Sequence, residues 1–500
     1  MTQDLASRLR DALAAADFTY DAVADLLGPL AHDALARNET TPGLRATRGG
    51  SPLETLTRLF LLQTPVDHAD AERALPGLVD VMANEGLIEQ SLSEVAARLD
   101  VRPYAAPHDE DPGNLWIVSD LTPGMDGSPN RVRSDYVLGI SPASTNLAQQ
   151  TLRDPVGSAL DLGTGCGVQA VHLARHAERV VATDVNARAL WMTRFNAELN
   201  GIPLGTEGGI DVRDGSFFEP VATETFDLIA TNPPFVISPA TGERLVYRDS
   251  GLPGDAVVEH IVRSAPDRLN PGGWCQILAN WVIRDDQPWD ERLAGWVGPD
   301  SDAFVIQREV LDPAAYVELW LKDSGHHGGP EYLRRYDTWL DWLEREGVAG
   351  VGFGWINLRR TETDRAPRTE FLEWPYEVEQ PVAPAIGAWA QAQDFLAGVE
   401  DLAGERLVVR SDVQQETQGA PGAEDPEAIV LRQQRGFRRA RRADTVEAAV
   451  VGACDGDLAL GQIADAVAQI LDRDAGEVRA EVLGQARELL AEGFLEPADA

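Results

Sequence analysis

The sequence predicts an α/β protein with a central, mostly parallel sheet that is covered by helices on both faces. From Leu115 to about Leu358, apolar segments of strand character alternate with segments of helical periodicity, and turns containing glycine or proline separate them. Such alternation is typical of parallel sheets whose crossover connections are helices. The length of 500 residues is too great for one compact core and therefore indicates more than one domain.

Three regions follow from changes of pattern along the chain. The helical spacing of apolar positions within residues 1–112 predicts a helical domain with a winged-helix outline. The polar stretch AAPHDEDPG at 105–113 predicts a linker. Residues 113–378 predict the α/β domain, with a helical insertion rich in tryptophan and tyrosine near 311–349. Residues 379–500 predict an α+β domain that ends, from about residue 443, in a second winged-helix-like module.

Individual elements of the α/β region and of the C-terminal region follow from their own periodicity and end signals. Helices are expected at Val168–Arg175, Ala187–Leu199, Ala256–Leu269 and Glu331–Arg345. Strands are expected at Leu115–Ser119, Ala159–Leu162, Val180–Asp184, Ile210–Arg213, Phe226–Ala230, Trp274–Ala279, Ala303–Arg308, Gly350–Leu358, Arg406–Thr417 and Ala428–Arg439.

The charge balance restricts the class of partner. The chain carries 81 acidic and 43 basic residues, a net charge of −38, and such a field repels polyanions at long range. No stretch approaches the roughly 20 apolar residues that span a bilayer, and the N-terminus lacks the features of a signal peptide. Neither the three cysteines nor the eight histidines show metal-ligand spacing. We therefore expect a cytoplasmic protein that binds neither membrane nor metal.

A glycine-rich loop follows the strand at Ala159–Leu162. The stretch ALDLGTGCGVQA sets three glycines between a strand and a helix, where backbone N–H groups and the positive helix end face a ligand. Position 168 is valine, which does not fit the GxGxxG pattern of dinucleotide-binding loops. Asp184 ends the next strand, in the position where an acid binds both ribose hydroxyls of a nucleoside. A helix N-cap is the alternative role of Asp184.

Residues Tyr136–Ala279 resemble class I methyltransferases that depend on S-adenosylmethionine (SAM). The resemblance implies a Rossmann-like sheet of about seven strands, with SAM as cofactor and S-adenosylhomocysteine as product. GSFFEP at 215–220 is similar to the GDLFEP-like segment of the HemK family, although Ser216 replaces the Asp that faces adenine there, so the adenine contact stays open. Asp161 is expected to orient the loop or to meet the cofactor's ammonium group. The implied cofactor-binding residues are Asp161, Gly163, Thr164, Gly165, Cys166, Gly167, Asp184, Val185, Gly215, Ser216, Phe217 and Asn232.

The stretch FDLIATNPPFVIS carries a second motif, whose residues Asn232, Pro233, Pro234 and Phe235 are the expected catalytic residues. Two successive prolines stiffen a turn at the carboxyl end of a parallel strand, which faces the crevice where α/β sheets bind ligands. There the Asn232 side-chain oxygen and a prolyl carbonyl can accept both hydrogens of a planar –NH2 group, and Phe235 can stack on a flat substrate. The motif resembles that of amino-methyltransferases, whose acceptors are exocyclic amines of nucleobases or the glutamine side-chain amide. An ordinary proline-rich loop is the structural alternative.

Two resemblances lead to different acceptors. YVLGISPASTNLAQ is similar to the entry motif of the HemK family, in which Pro142 matches while Thr145 stands at a position that is usually charged. The stretch YRDSGLPGDAVVEHIVRSAPDRLNPGGW is also similar to that family, which methylates glutamine. NPPF, by contrast, is frequent among methyltransferases that act on rRNA and tRNA bases.

A basic cluster favours RNA as the substrate. Six arginines lie between Arg432 and Arg442 around Phe437, where they can neutralise phosphates while the ring stacks on a base. Arginines that pair with the protein's own carboxylates are the alternative explanation. We therefore expect an exocyclic amine of an rRNA or tRNA base as the acceptor, with Pro142, Thr145, Arg438 and Arg439 binding the substrate. A HemK-type protein-glutamine methyltransferase acting on a release factor, a small-molecule methyltransferase and a non-catalytic SAM-fold scaffold are the alternatives.

Overall fold

The structure is a computed structural model that describes residues 2–105, 114–128, 133–205, 208–234, 236–239, 252–326, 328–361, 366–420 and 427–498. The chain forms two compact units. The first unit comprises Met1–Ala148 and Arg153–Trp374, and the second comprises Gln149–Leu152 and Pro375–Ala500.

The first unit begins with short helices and two small sheets. Three strands pair in the order β1, β3, β2, and β4 pairs antiparallel with β5. The elements are α1 (Thr2–Ala15), α2 (Tyr20–Leu35), α3 (Thr41–Ala46), α4 (Pro52–Leu56), a π-helical turn (Thr57–Leu61), β1 (Val66–Asp67), α5 (His68–Ala74), α6 (Val79–Asn84), β2 (Ile88–Gln90), β3 (Glu94–Ala97), β4 (Leu99–Tyr104), β5 (Leu115–Asp120) and a 3-10 turn (Met125–Gly127).

The helical region and the α/β region of the first unit share one hydrophobic core. Buried Leu9 and Phe18 of the N-terminal segment lie in the same cluster as Val168 and Phe195 of the glycine-loop region. Residues 106–113, which include most of the predicted linker, lie outside the described residues, so the domain boundary at residue 112 stays a prediction. The side chains on its two sides nevertheless pack as one body.

The α/β region follows, with strands and helices in alternation as far as β11. Its elements are α7 (Pro142–Gln150), β6 (Val156–Leu162), α8 (Val168–Leu173), β7 (Ala177–Asp184), α9 (Ala187–Leu199), β8 (Ile210–Asp214), a 3-10 turn (Glu219–Val221), β9 (Phe226–Thr231), α10 (Ala256–Ser264), a 3-10 turn (Ala265–Arg268), β10 (Leu269–Arg284), α11 (Trp289–Ala294), β11 (Ser301–Leu311), α12 (Pro313–Asp323), α13 (Tyr332–Arg345), β12 (Val348–Arg360) and β13 (Thr369–Glu373).

Within the described part of the chain, eight strands form the main sheet in the order β13-β11-β12-β10-β9-β6-β7-β8. Every neighbouring pair is parallel except those that include β12, which is antiparallel to β10 and β11. The mostly parallel α/β sheet is thereby confirmed, and β13 adds an edge strand to the seven that were expected. The chain passes from β6 to β7 and β8 on one side and returns to β9 on the other side. The loops after β6 and β9 therefore diverge and open a crevice at the carboxyl ends of these strands.

One predicted strand lies outside the main sheet. Residues Leu115–Asp120 form β5, but this strand pairs with β4 only, so its expected place in the parallel sheet was wrong. Its other edge is satisfied by helix α9, because the Val118 N–H donates to Asn196 Oδ1 (2.8 Å) and the Trp116 N–H donates to Asn200 Oδ1 (2.9 Å). The two asparagines stand one helical turn apart, so they meet alternate residues of the strand.

The second unit contains two three-stranded sheets and a set of helices. The sheets have the orders β18-β14-β19 and β15-β16-β17. The elements are α14 (Ala383–Gly398), a 3-10 turn (Leu402–Gly404), β14 (Arg406–Val409), β15 (Val413–Gln418), β16 (Ala428–Gln433), β17 (Ala440–Ala443), α15 (Thr445–Ala453), β18 (Asp455–Ala459), α16 (Leu460–Ile470), α17 (Ala475–Ala491) and β19 (Leu495–Pro497).

Some predicted elements are divided or end earlier than expected. The strand expected over Arg406–Thr417 is two strands, because Asp412 turns the chain between them and accepts hydrogen bonds from the Gln434 and Arg435 N–H groups (3.0 and 2.8 Å). The strand expected over Ala428–Arg439 stops at Gln433, before a turn in which Gly436 has φ 63°. The helix expected to reach Leu269 ends at Ser264 and continues as a 3-10 turn.

We expect Asn196→Ala to destabilise the first unit. The side chain is buried and also donates to the carbonyls of Val118 (2.8 Å) and Cys166 (2.7 Å), so its loss leaves three buried backbone groups unpaired. Such losses lower the free energy of unfolding by about 2–4 kcal/mol, measured by urea denaturation. Arg194→Ala, at an exposed position of the same helix, serves as the control and should change it by less than about 0.5 kcal/mol. Equal effects of the two substitutions would contradict this account.

Candidate functional site

The glycine-rich loop leaves β6 in a tight turn that hydrogen bonds hold against β7. The N–H groups of Gly163 and Thr164 both donate to the Thr183 carbonyl at 2.9 Å, and the Gly167 N–H donates to the Thr164 carbonyl at 2.9 Å. Gly163, Gly165 and Gly167 have φ values of 76°, 58° and 83°. These left-handed conformations explain why glycine occupies all three positions.

The three glycines differ in what surrounds them. A Cβ placed on Gly163 or Gly165 meets no described atom within 4 Å, whereas one on Gly167 lies 2.9 Å from Thr193 Cγ2. The first two glycines therefore leave an open cradle beside the backbone, which a ligand can fill. The third allows helix α9 to pack closely on the loop.

Asp161, next to the end of β6, is tied into the loop. Its Oδ2 accepts hydrogen bonds from Thr164 Oγ1 (2.6 Å) and from the Ala170 N–H (2.9 Å). Burial raises the pKa of this carboxyl to about 7, against those two hydrogen bonds, which favour the ionised form. Within the described residues Oδ1 accepts no hydrogen bond, so the side chain orients the loop and keeps one acceptor available.

Asp184 ends β7 and connects the glycine loop to helix α9. Its Oδ2 accepts from the Gly165 N–H (3.0 Å) and its Oδ1 from the Asn186 N–H (2.8 Å). Burial raises the pKa of this carboxyl. The N-cap of α9 is Asn186, whose side chain accepts from the Arg188 N–H, so Asp184 does not fill the alternative role of cap. The next residue, Val185, leaves 67% of its surface exposed beside this acid.

The segment after β8 closes the same side of the crevice. The Gly215 N–H donates to the Asp184 carbonyl (3.1 Å), and the Ser216 carbonyl accepts from the Glu219 N–H (3.0 Å). Phe217 has φ 44°, and its ring meets that of His260 edge-on at 4.8 Å between centroids. Phe217 is partly buried against the core, so at least part of the ring serves packing.

Asn232 follows β9 directly and has an unsatisfied polar atom. The preceding Thr231 donates from Oγ1 to the Leu162 carbonyl at 2.7 Å, which joins the carboxyl ends of β9 and β6. Asn232 Oδ1 is buried and, within the described part of the chain, has no hydrogen-bond partner. A buried acceptor without a donor is costly, so this oxygen is suited to receive a donor from a ligand. Pro233 is buried and Pro234 is exposed, while Phe235 lies outside the described residues.

Most of the predicted site residues stand at the carboxyl ends of three adjacent strands, β7, β6 and β9. Pro142 and Thr145 lie in the first turn of α7, which is held to α8 because Gln169 Nε2 donates to the Ser144 carbonyl (2.6 Å). Cys166 is buried, and burial raises the pKa of its thiol to about 12, so its side chain serves packing. Arg438 and Arg439 belong to the second unit.

The arginine cluster around Phe437 differs from the expectation. Phe437 is only 4% exposed, so the predicted stacking of this ring on a base was wrong: the turn after Gly436 directs the ring inward. Arg439 lies over that ring, with 5.8 Å between the guanidinium carbon and the ring centroid. Two arginines of the cluster pair with the protein's own acids, as the alternative explanation proposed: Arg432 with Glu416, and Arg441 with Glu447, Glu488 and Glu492. Arg435 and Arg438 remain exposed.

Two residues of α9 support the site without having been predicted. Asn196 Nδ2 holds the Cys166 carbonyl at 2.7 Å, and Thr193 Oγ1 donates to the Gly165 carbonyl at 3.1 Å. The signal was present in the sequence, because polar side chains three residues apart on the buried face of a helix need internal partners.

The described residues contain neither a metal-ligand cluster nor a membrane-spanning helix. No cluster of three or more His, Cys, Asp or Glu side chains is arranged to hold a metal ion in that part of the chain. Likewise, none of the helices in the described ranges combines the length and the apolar character needed to cross a bilayer.

Comparison with known proteins gives matches to two protein families. Residues 139–293 match the methyltransferase small domain, and residues 15–98 match a domain of unknown function (DUF7059). Residues 139–293, which include the elements from α7 to β10, are thus similar to a methyltransferase domain.

Individual relatives agree with that class. The chain is 34% identical over 132 residues to a release factor glutamine methyltransferase of Geobacter sulfurreducens, covering 24% of this chain and 44% of that protein. It is 29% identical over 156 residues to a ribosomal RNA small subunit methyltransferase C of Alcanivorax borkumensis, covering 31% and 42%. It is 32% identical over 128 residues to a ribosomal protein uL3 glutamine methyltransferase of Bradyrhizobium diazoefficiens, covering 24% and 39%. The chain thus spans less than half the length of these relatives.

Asp161→Asn should change the pH dependence of stability. The folded-state pKa of about 7 lies above the usual value of 3.8, so the native state binds this proton more tightly and loses stability as pH rises from about 4 to 7. Asparagine keeps an acceptor for Thr164 and Ala170 but does not titrate. Urea denaturation between about pH 5 and pH 8 should therefore show a smaller decline for the variant than for the wild type. Parallel curves would contradict the assignment.

Proposed function

We propose that this protein is a SAM-dependent methyltransferase that methylates a planar amino nitrogen. The observation that carries the proposal is the buried Asn232 Oδ1, which has no partner among the described residues and follows β9 next to the glycine loop of β6. The open space beside Gly163 and Gly165, which lies at the same carboxyl edge of the sheet, is consistent with a cofactor site there. The methyltransferase small domain over residues 139–293 agrees with both points.

The residues around the cradle suit the parts of SAM. Asp184 would accept hydrogen bonds from both ribose hydroxyls, and the exposed Val185 offers an apolar surface for the adenine ring. Asp161, with Oδ1 available, would attract the ammonium group of the methionine part. When bound, SAM supplies the methyl group and a neutral thioether as the leaving group.

Asn232 would act by holding the acceptor. Its Oδ1 and a prolyl carbonyl accept the two hydrogens of a planar –NH2, which fixes the nitrogen with its lone pair normal to the plane. Pro233 and Pro234 keep the turn stiff because their φ angles are restricted. Orientation and exclusion of water during transfer are then the main contributions of the protein to the rate. The methylated nitrogen afterwards releases one of its protons to solvent, so the proposal assigns no general base.

The observations favour a protein glutamine amide as the acceptor over an RNA base. The net charge is −38, and in the arginine cluster that supported RNA, Arg432 and Arg441 pair with the protein's own carboxylates while Phe437 is buried. Two of the three relatives described above are glutamine methyltransferases. A carboxamide presents the same planar –NH2 as a nucleobase but needs no phosphate-binding surface.

An RNA base is the second candidate acceptor. Arg435 and Arg438 are exposed, and among the described residues neither has an ion-pair partner. The relative from Alcanivorax borkumensis, named a ribosomal RNA methyltransferase, matches a larger share of this chain than the two glutamine methyltransferases do. An RNA acceptor would bind less tightly as salt increases, because each neutralised phosphate releases counterions.

We expect the purified protein to transfer tritiated methyl from SAM into the protein fraction of a lysate of its own host cell, with little change between low and high salt. RNA and protein are separated after the reaction and counted individually. Label confined to RNA, with transfer that falls steeply as salt rises, would reject the glutamine acceptor and support the base. The absence of label from every fraction, including small molecules, would reject the enzyme assignment.

Asn232→Ala should lower kcat by roughly 100-fold while SAM affinity changes little, because the lost interaction holds the acceptor rather than the cofactor. Asn270→Ala is the matched control, since Asn270 stands at the opposite end of the sheet and bonds Asp227 (2.7 Å). The control should keep the wild-type rate in the tritium assay. Full activity of Asn232→Ala would overturn the site assignment.

A further inference from the structure

We propose that the helical insertion between β11 and β12 positions the segment that follows Asn232, with Tyr316 and Trp339 as the two positioning residues. The insertion consists of α12 and α13. The inference rests on the proposed function, because it assigns the insertion a role in aligning the turn Asn232–Pro234 that would hold the methyl acceptor. This turn is called the acceptor turn below. It concerns residues that no motif of the sequence indicated.

The carrying observation is that the insertion satisfies both backbone groups of Ile237. The Ile237 N–H donates to the Tyr316 hydroxyl oxygen at 2.8 Å, and Trp339 Nε1 donates to the Ile237 carbonyl at 2.9 Å. Tyr316 lies on α12 and Trp339 on α13, so one side chain from each helix holds the same residue. A single residue is thus fixed by two bonds to two separate elements.

The Tyr316 hydroxyl also connects this segment to the sheet. Asn280 of β10 donates from Nδ2 to the same oxygen at 3.1 Å, and β10 is the direct neighbour of β9. Tyr316 is fully buried, and burial raises the pKa of its phenol, so the group stays a neutral hydroxyl. One oxygen therefore joins the insertion, the sheet and the segment after the motif.

The acceptor turn depends on such outside support. Pro233 and Pro234 have no N–H groups and cannot donate to a strand ladder, so hydrogen bonds made by the residues on the C-terminal side add to the restraint that the prolines themselves supply. Val236 and Ile237 are buried in one apolar cluster with Val317 and Trp320 of α12 and with Trp339 and Leu343 of α13. The apolar packing holds Val236 and Ile237 against the two helices, while the two hydrogen bonds fix the orientation of the Ile237 backbone.

Positioning and simple stabilisation give different results. Misplacing a reacting group by about 1 Å costs up to roughly 100-fold in rate, whereas a purely structural bond changes stability without changing the chemical step. If Tyr316 positions the turn, its loss should lower the rate of methyl transfer at saturating SAM while cofactor affinity stays the same. If Tyr316 is structural only, stability alone should fall.

The test uses Tyr316→Phe and Trp339→Phe, each of which removes one hydrogen bond to Ile237 and keeps an aromatic ring. The matched controls are Tyr336→Phe and Trp342→Phe on the same insertion. Tyr336 bonds Glu318 (3.2 Å), and Trp342 packs at the margin of the same cluster. All four full-length proteins are compared by thermal unfolding, by calorimetry with S-adenosylhomocysteine, by amide hydrogen exchange of the Ile237 peptide and by tritium transfer into the acceptor fraction.

We expect Tyr316→Phe to speed exchange of the Ile237 amide and to lower methyl transfer roughly tenfold, with S-adenosylhomocysteine affinity unchanged within about twofold. Trp339→Phe should show the same direction, and the controls should match the wild type. In an Asn232→Ala background, Tyr316→Phe should add no further loss, since both act on one step.

Unchanged exchange, or a rate equal to that of Tyr336→Phe, overturns the inference. Absence of transfer by the wild type would instead reject the proposed function, and the exchange result would still decide whether Tyr316 holds the segment.

Discussion

The site is built around one constraint, an amide oxygen that is buried without a partner among the described residues at the point where the strand order of the sheet reverses. Asn232 Oδ1 follows β9, and the Thr231 hydroxyl ties that strand end to the Leu162 carbonyl of β6. Within the described residues nothing satisfies this acceptor, so the fold maintains an unfavourable group. A donor from outside the chain is the simplest physical reason to keep it there.

The neighbouring elements are arranged so that this corner of the sheet is rigid. The Thr183 carbonyl accepts hydrogen bonds from two N–H groups of the glycine loop. The Asn196 side chain donates both to the Cys166 carbonyl of that loop and to the Val118 carbonyl at the edge of β5. On the other side Tyr316 holds Ile237 through a hydroxyl that also meets Asn280. A reaction driven mainly by orientation requires such rigid elements on both sides of the crevice.

Much of this was predictable from the sequence, and the exceptions have physical causes. Helix Ala187–Leu199 was predicted to the residue, with Gly201 as the signal for its end, whereas its N-cap proved to be Asn186 and not Asp184. Strand β5 was placed in the wrong sheet, because an apolar segment does not reveal that helix side chains satisfy its edge. The inward ring of Phe437 depends on a turn with positive φ that local composition does not determine. Asn232 was found from its motif, but its missing partner is a property of the folded chain.

The most direct test of the central claim is the location of the transferred methyl group. SAM carrying a trideuterated methyl is incubated with the protein and its acceptor fraction, and the product is fragmented in a mass spectrometer. The account predicts that the label is bonded to a nitrogen that was a planar –NH2 before the reaction. A label found on oxygen, sulfur or carbon would contradict it, because Asn232 Oδ1 and a prolyl carbonyl together are proposed to hold a group with two N–H donors, which only an –NH2 supplies.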